Sequence, residues 1–231
     1  MPVESTHSKN GEPDSDHHIL IGVVGAVPVL ECHPLGPALL ERLGAQNWSG
    51  RSVSVEALVW GAMHVVQQFQ ETPNQFDRVV LVGSVQRGDA PGTVTSWRWK
   101  GGPVDIPTIQ DRIFDAVTGI ISLDHLVLIG EHFGVWPKEL FLVEIELPET
   151  LFGEIAANYG TENGSRSIDN ISFMKQLGFD PKDVIRQITD SARYAALGLF
   201  PAGDEPGFKT ARALTPATPV CYNAFVGTDA S

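Results

Sequence analysis

Apolar residues recur along the chain with two distinct periods. HILIGVVG (18–25), DRVVLVGSV (77–85) and ELFLVEIEL (139–147) are short, almost unbroken apolar runs, the pattern of strands covered on both faces. RSVSVEALV (51–59) alternates and is rich in β-branched residues, which predicts another strand. Between these runs the period changes to that of a helix. Leu35, Leu39, Leu40 and Leu43 share one face over 34–45, and Met63, Val66 and Phe69 share one over 61–72, with Pro73 just beyond. Residues 108–133 predict one or two helices broken near Gly119. Around TVTSWRWKG, Val94, Ser96 and Arg98 alternate with Thr93, Thr95, Trp97 and Trp99, predicting an antiparallel or edge strand.

Beyond a loop at 158–167 and a helix at 170–177, Asp180 offers an N-cap, with Pro181 and Asp183 in the first turn of a helix over 181–198. Val184, Ile188, Ala192 and Ala195 form its buried face. Strands separated by helices need crossover connections, so residues 18–200 predict a single α/β domain: a mostly parallel twisted sheet flanked by helices, in three layers. Residues 1–17 are polar and aperiodic and predict a disordered lead. Residues 201–231, with Pro201, Pro206, Pro216 and Pro219, predict an irregular C-terminal tail. Val220, Cys221, Tyr222 and Phe225 give that tail the means to pack on a surface or a partner.

Composition narrows the function classes. Lys+Arg 16 against Asp+Glu 28 leaves a formal charge of −12, which disfavours phosphate backbones and anionic membranes as partners. No run approaches the roughly 18 apolar residues of a membrane span, and the polar N-terminus has no signal-peptide core. Two cysteines, Cys32 and Cys221, do not make a disulfide framework, so a reducing, cytoplasmic location is expected.

In an open parallel sheet, chemistry gathers at the carboxyl ends of the strands. The candidates there are Glu31, Cys32 and His33 after the first strand, and Glu56 with His64 around the second. Gly83, Ser84 and the 88–92 turn follow the third, and Ser122, Asp124 and His125 precede the last. Cys32–His33 with Asp124–His125 is a possible ligand set for zinc or nickel; equally, Cys32 reads as a small core residue and His33 as a loop residue. GSVQRG is not a nucleophile elbow around Ser84, and GVVG lacks the third glycine of a dinucleotide loop. Trp97 and Trp99, flanking Arg98, read as packing or interface residues. A small-molecule hydrolase or phosphorylase type of domain would need a converging acid, base and anion pocket, of which no complete set is present.

The stretch DRVVLVGSVQRGDAPGTV (77–94) resembles the third strand and turn of the nickel–iron hydrogenase maturation endopeptidases, roughly D-R-V-V-V-V-D-A-V-x-x-G-x-x-P-G-T-V, without a gap. PLGPALLERL (34–43) resembles that family's first helix, and EALVWGAMHVV (56–66) lies where it carries D-G-G-T-A-G. ISLDHLVLI (121–129) lies where it carries S-L-H-D, and ELFLVEIELPE with the helix after Asp180 resembles its last strand and helix. The resemblance spans about residues 18–199, with an apparent insertion near 158–176. It implies an α/β sandwich whose members trim a C-terminal peptide from the hydrogenase large subunit once nickel is in place, with carboxylates and a histidine contacting the metal. The implied partner is a large-subunit precursor, with no nucleic acid or membrane. No intrinsic cofactor is expected, only the nickel of the substrate.

The implied ligand positions are altered. Cys32 and His33 stand where the family has an acidic pair, and Ala57 stands at the second aspartate with Glu56 one residue away. Gly83 replaces the aspartate of V-D-A, and Asp124–His125 replaces His-Asp. Two readings follow. One is a peptidase with a replaced ligand set drawn from His33, His125, Glu56, Cys32 and Asp124. The other is a non-catalytic relative that has kept the fold and a docking surface and serves as an assembly factor.

Overall fold

The computed structural model describes residues 17–25, 35–59, 61–85, 87–99, 101, 105–117, 122–148, 178–199 and 208–210. In chain order these form β1 (His18–Val24), α1 (Gly36–Gly44), β2 (Ser52–Leu58), α2 (Ala62–Glu71), β3 (Arg78–Val85) and β4 (Val94–Arg98). There follow α3 (Ile106–Val117), α4 (Leu123–His132), β5 (Glu139–Glu146), α5 (Pro181–Leu197) and β6 (Phe208–Thr210). Among the described residues the strands make one six-stranded sheet in the order β2-β1-β3-β5-β4-β6. β2, β1, β3 and β5 are parallel, β4 runs antiparallel to β5, and β6 runs parallel to β4.

The apolar runs read as doubly covered strands occupy the middle of this order because helices pack on both faces. On one face Leu20, Val79, Leu81 and Leu142 pack against Val65, Val66, Ile109, Leu126 and Ile129 of α2, α3 and α4. On the other, Ile21, Val80, Val82 and Val143 pack against Leu39 and Leu43 of α1 and Ile188 and Ala192 of α5. The structure is therefore the three-layer α/β sandwich that the periodicity predicts. No described helix is long and apolar enough to cross a membrane.

Local signals set the helix ends. The Asp180 carboxylate accepts the Lys182 N–H at 2.9 Å at the start of α5, and Gly198, with φ 64°, ends it. Arg78, at the start of β3, donates to the Ala196 carbonyl at 2.7 Å and to Glu139 of β5 at 2.7 Å, so one guanidinium ties the end of α5 to the central strands. α3 begins at Ile106, earlier than the periodicity predicts, because the Asp105 carboxylate accepts the Thr108 N–H at 2.9 Å and caps it there.

Two expectations change. β4 is antiparallel as predicted, yet it is not the sheet edge, since β6 pairs outside it. Phe208–Thr210, which lie in the stretch expected to be irregular, supply that strand because Ser96, Trp97 and Arg98 offer it an open ladder. The lead at 1–16, the loop at 158–167 and the helix at 170–177 lie outside the described residues.

Candidate functional site

β1, β2, β3 and β5 all end at one pole of the sheet, and the polar side chains of the molecule's middle gather there. After Glu139 at its start, β5 is apolar except for two buried acids at alternate positions that share a face, Glu144 and Glu146. A buried carboxylate needs a partner, and Arg87, just past the end of β3, supplies it. Its guanidinium donates through Nε to Glu144 Oε2 at 2.7 Å and through Nη2 to Glu144 Oε1 at 2.6 Å, a two-pronged pair. The same Nη2 donates to Asp124 Oδ1 at 2.8 Å. Trp97 of β4 adds its indole N–H to Glu144 Oε2 at 2.8 Å. Glu146 takes the backbone: its carboxylate accepts the Arg87 N–H at 2.9 Å and the Gly88 N–H at 3.0 Å. Gly88 has φ 85°, a conformation that glycine reaches without strain and that turns its N–H toward Glu146.

These charges hold each other in place. Burial pushes the Glu144 carboxyl above its ordinary range, and the Arg87 guanidinium offsets part of that effect. Burial alone would lower Arg87, but its hydrogen bonds to Glu144 and the neighbouring charges of Asp124 and Glu144 outweigh it, so Arg87 is held well above its usual value. A guanidinium so placed is permanently charged.

Asp124 and His125 open α4, where Ser122 caps the helix by accepting the His125 N–H at 3.2 Å. Asp124 faces Arg87, a position that the helix N-terminus also favours for a negative charge. His125 is 1% exposed and lies beneath α3, where Arg112 Nη1 is 3.1 Å from His125 Nε2. A guanidinium only donates, so Nε2 accepts and the ring proton is assigned to Nδ1. Asp124 and His125, two of the five residues predicted as metal contacts, are thus engaged by arginines, and the Nε2 lone pair is directed at Arg112.

Glu56 is elsewhere. It is exposed on β2 and pairs in register through Gly22 and Leu81 with Leu142, two residues short of Glu144. At about 4.8 Å per strand it sits about 14 Å across the sheet from β5. It lies in a groove with Gln68, Phe69 and Gln75 of the α2 side, remote from Asp124. Alternation along β2 puts Glu56 on the α2–α4 face and Ala57 on the opposite one. Ser84 is buried on the face away from α4. At Gly83 a Cβ would lie 3.0 Å from Leu123 Cβ, so α4 is seated directly on the strand where the resembling family carries a carboxylate. Cys32 and His33 lie outside the described residues, among which no three His, Cys, Asp or Glu side chains are grouped to hold a metal ion.

Arg87, Glu144, Glu146 and Arg112 were not singled out from sequence. The legible signal was the pair of acids inside ELFLVEIEL, since charges inside a buried strand need a counter-charge.

No family model matches the chain, and no curated protein matches it. Among solved structures it is similar to an endopeptidase from Escherichia coli, with 18% identity, TM-score 0.38, and coverage of 71% of this chain and 95% of that one. It is also similar to pyrrolidone carboxyl peptidase from Fervidobacterium islandicum, with 13% identity, TM-score 0.38, and coverage of 80% and 98%. A third similar structure is the hydrogenase maturating endopeptidase of Escherichia coli, with 16% identity, TM-score 0.34, and coverage of 71% and 95%.

Proposed function

We propose that this chain is a peptidase-like assembly factor that binds the large-subunit precursor of a nickel–iron hydrogenase without trimming it. One observation carries the non-catalytic half of the reading. The Arg87 guanidinium fills the space between Asp124 and Glu144, where a cation shared by those carboxylates would sit. With that internal cation in place, this carboxylate pair has nothing to offer to nickel held by another protein. The binding half is supported by the resemblance of the turn at 77–94.

The competing reading is a peptidase using His33, Cys32, Glu56, Asp124 and His125. It requires Arg87 to leave its two carboxylates, and His125 to turn its Nε2 away from Arg112. Breaking a buried charge pair costs about 3–5 kcal/mol, a barrier that partner binding would have to supply.

Purified chain incubated with nickel-loaded large-subunit precursor, followed by intact mass and gel filtration, decides between them. The expected result is co-elution with no loss of mass from the precursor. Trimming that His125→Ala abolishes would overturn the non-catalytic reading, and absence of any complex would overturn the binding role.

A further inference from the structure

The sheet ends differently at its two sides. At one end of the order β6 is three residues long, and shortness is itself a way of closing an edge. At the other end β2 runs for seven residues, and among the described residues no strand pairs outside it. β2 also lacks the usual guards of an open edge. It contains no lysine and no proline, and its register with β1 runs from Ser52 to Leu58 without a bulge.

The backbone fixes which groups that edge offers. The Leu58 carbonyl accepts the Gly25 N–H at 3.0 Å, so Leu58 bonds toward β1. Direction alternates along a strand, so Ser52, Ser54 and Glu56 bond the same way, and Val53, Val55 and Ala57 turn their N–H and C=O groups outward. The Val53 and Val55 side chains lie half-buried against the apolar layer of α1 and α5, and Ala57 is exposed on that face. Glu56, on the other face, is the only charge in the strand.

We propose that β2 is the interface for a second copy of this chain, pairing antiparallel with its own counterpart about a two-fold axis at Val55. The strand is its own complement in that register. Val55 faces Val55 of the partner subunit, Val53 faces the partner's Ala57, and Ser54 faces the partner's Glu56. The three outward residues then fall in the hydrogen-bonded pairs, where opposed residues exchange both bonds. Their side chains carry the apolar layer across the axis, and each Glu56 carboxylate meets a serine hydroxyl. Neighbouring registers are poorer. An axis at Glu56 sets two carboxylates against each other, and an axis at Ser54 spends Ala57 on Arg51, whose N–H is already given to the Trp48 carbonyl. The chain's charge of −12 opposes pairing at long range, but physiological salt screens it beyond about 8 Å. The pairing does not rest on the assembly-factor reading. Amides of β2 then open by separation of the two copies, short of global unfolding.

The test uses the full chain in physiological salt, with Cys32→Ser and Cys221→Ser so that each added cysteine is alone. Sedimentation of the parent should give twice the mass of one chain. Under mild oxidation Val55→Cys should link to its own copy, since opposed Cα atoms about 5.5 Å apart lie within disulfide range. Val53→Cys should not link to itself, because its two copies are about 14 Å apart along the ladder, yet it should link to Ala57→Cys when the two chains are mixed. A parent that sediments as a monomer at every concentration would overturn the proposal. So would a dimer that links at none of these positions, or one in which Val53→Cys links to itself as readily as Val55→Cys.

Discussion

Removing the Arg87 guanidinium leaves the buried Asp124 and Glu144 carboxylates without their counter-charge. Arg87→Met is therefore expected to cost about 3–5 kcal/mol in urea unfolding. Adding Asp124→Asn and Glu144→Gln to that variant should recover more than half the loss, because neutral amides no longer need a counter-charge. A single variant as stable as the parent would mean that water reaches the site and the ion pairs count for little. Glu144 also gives a pH signature. Its native pKa is raised by burial, so the folded protein keeps a proton that the unfolded chain has released above its ordinary value of 4.5. The stabilisation from that proton is complete below about 4.5 and is lost as pH rises through the native value. The difference in stability between the parent and Glu144→Gln should change over that window, with the parent losing stability as pH climbs. A difference independent of pH would contradict the assignment.

At the scale of the element, α5 is the helix most plainly written in the sequence, because each end is set by a local rule. Asp180→Ala removes the cap on Lys182 N–H and should cost about 1 kcal/mol, read from thermal unfolding. Gly83→Ala tests how tightly α4 is seated: a methyl 3.0 Å from Leu123 Cβ should cost about 1–3 kcal/mol by overpacking. A neutral result would mean that α4 slides freely on the strand. The strands β1, β2, β3 and β5 and the helices α1, α2 and α5 were legible for the same local reason: run length, period and punctuation fix them. β6 was not, because Phe208–Thr210 carry no strand pattern of their own and are paired only through the ladder β4 offers. The site was half legible. Asp124 and His125 could be placed at a helix start, but not their partners, since Arg87 lies 37 residues from Asp124 and 57 from Glu144, separations that no local pattern spans.

For the whole molecule, the sheet order concentrates stability at its centre. β3 and β5 pair over eight positions each and are covered by helices on both faces, while β2 forms one end of the order and β6 contributes three residues at the other. Amides of β3 and β5 should exchange with solvent most slowly, through global unfolding, and those of β2 and β6 through local opening. Uniform exchange rates across the sheet would show that the edges are held by more than their ladders. The two poles differ in kind: charges close one end around Arg87, and Phe69, Phe76, Phe133 and Trp136 line a groove at the other.

The ion cluster also bears on how this sequence is free to drift. Glu144 answers to Arg87 and Trp97, Asp124 to Arg87, and Glu146 to the backbone of the turn that carries Arg87. Replacing Arg87 strands two buried carboxylates and replacing Asp124 or Glu144 takes a partner from its guanidinium, whereas joint replacement of the three by neutral residues strands no charge. In a saturation library these three positions should therefore be intolerant one at a time and permissive together, a genetic ratchet that would let descendants lose the whole cluster in concert far more readily than by steps.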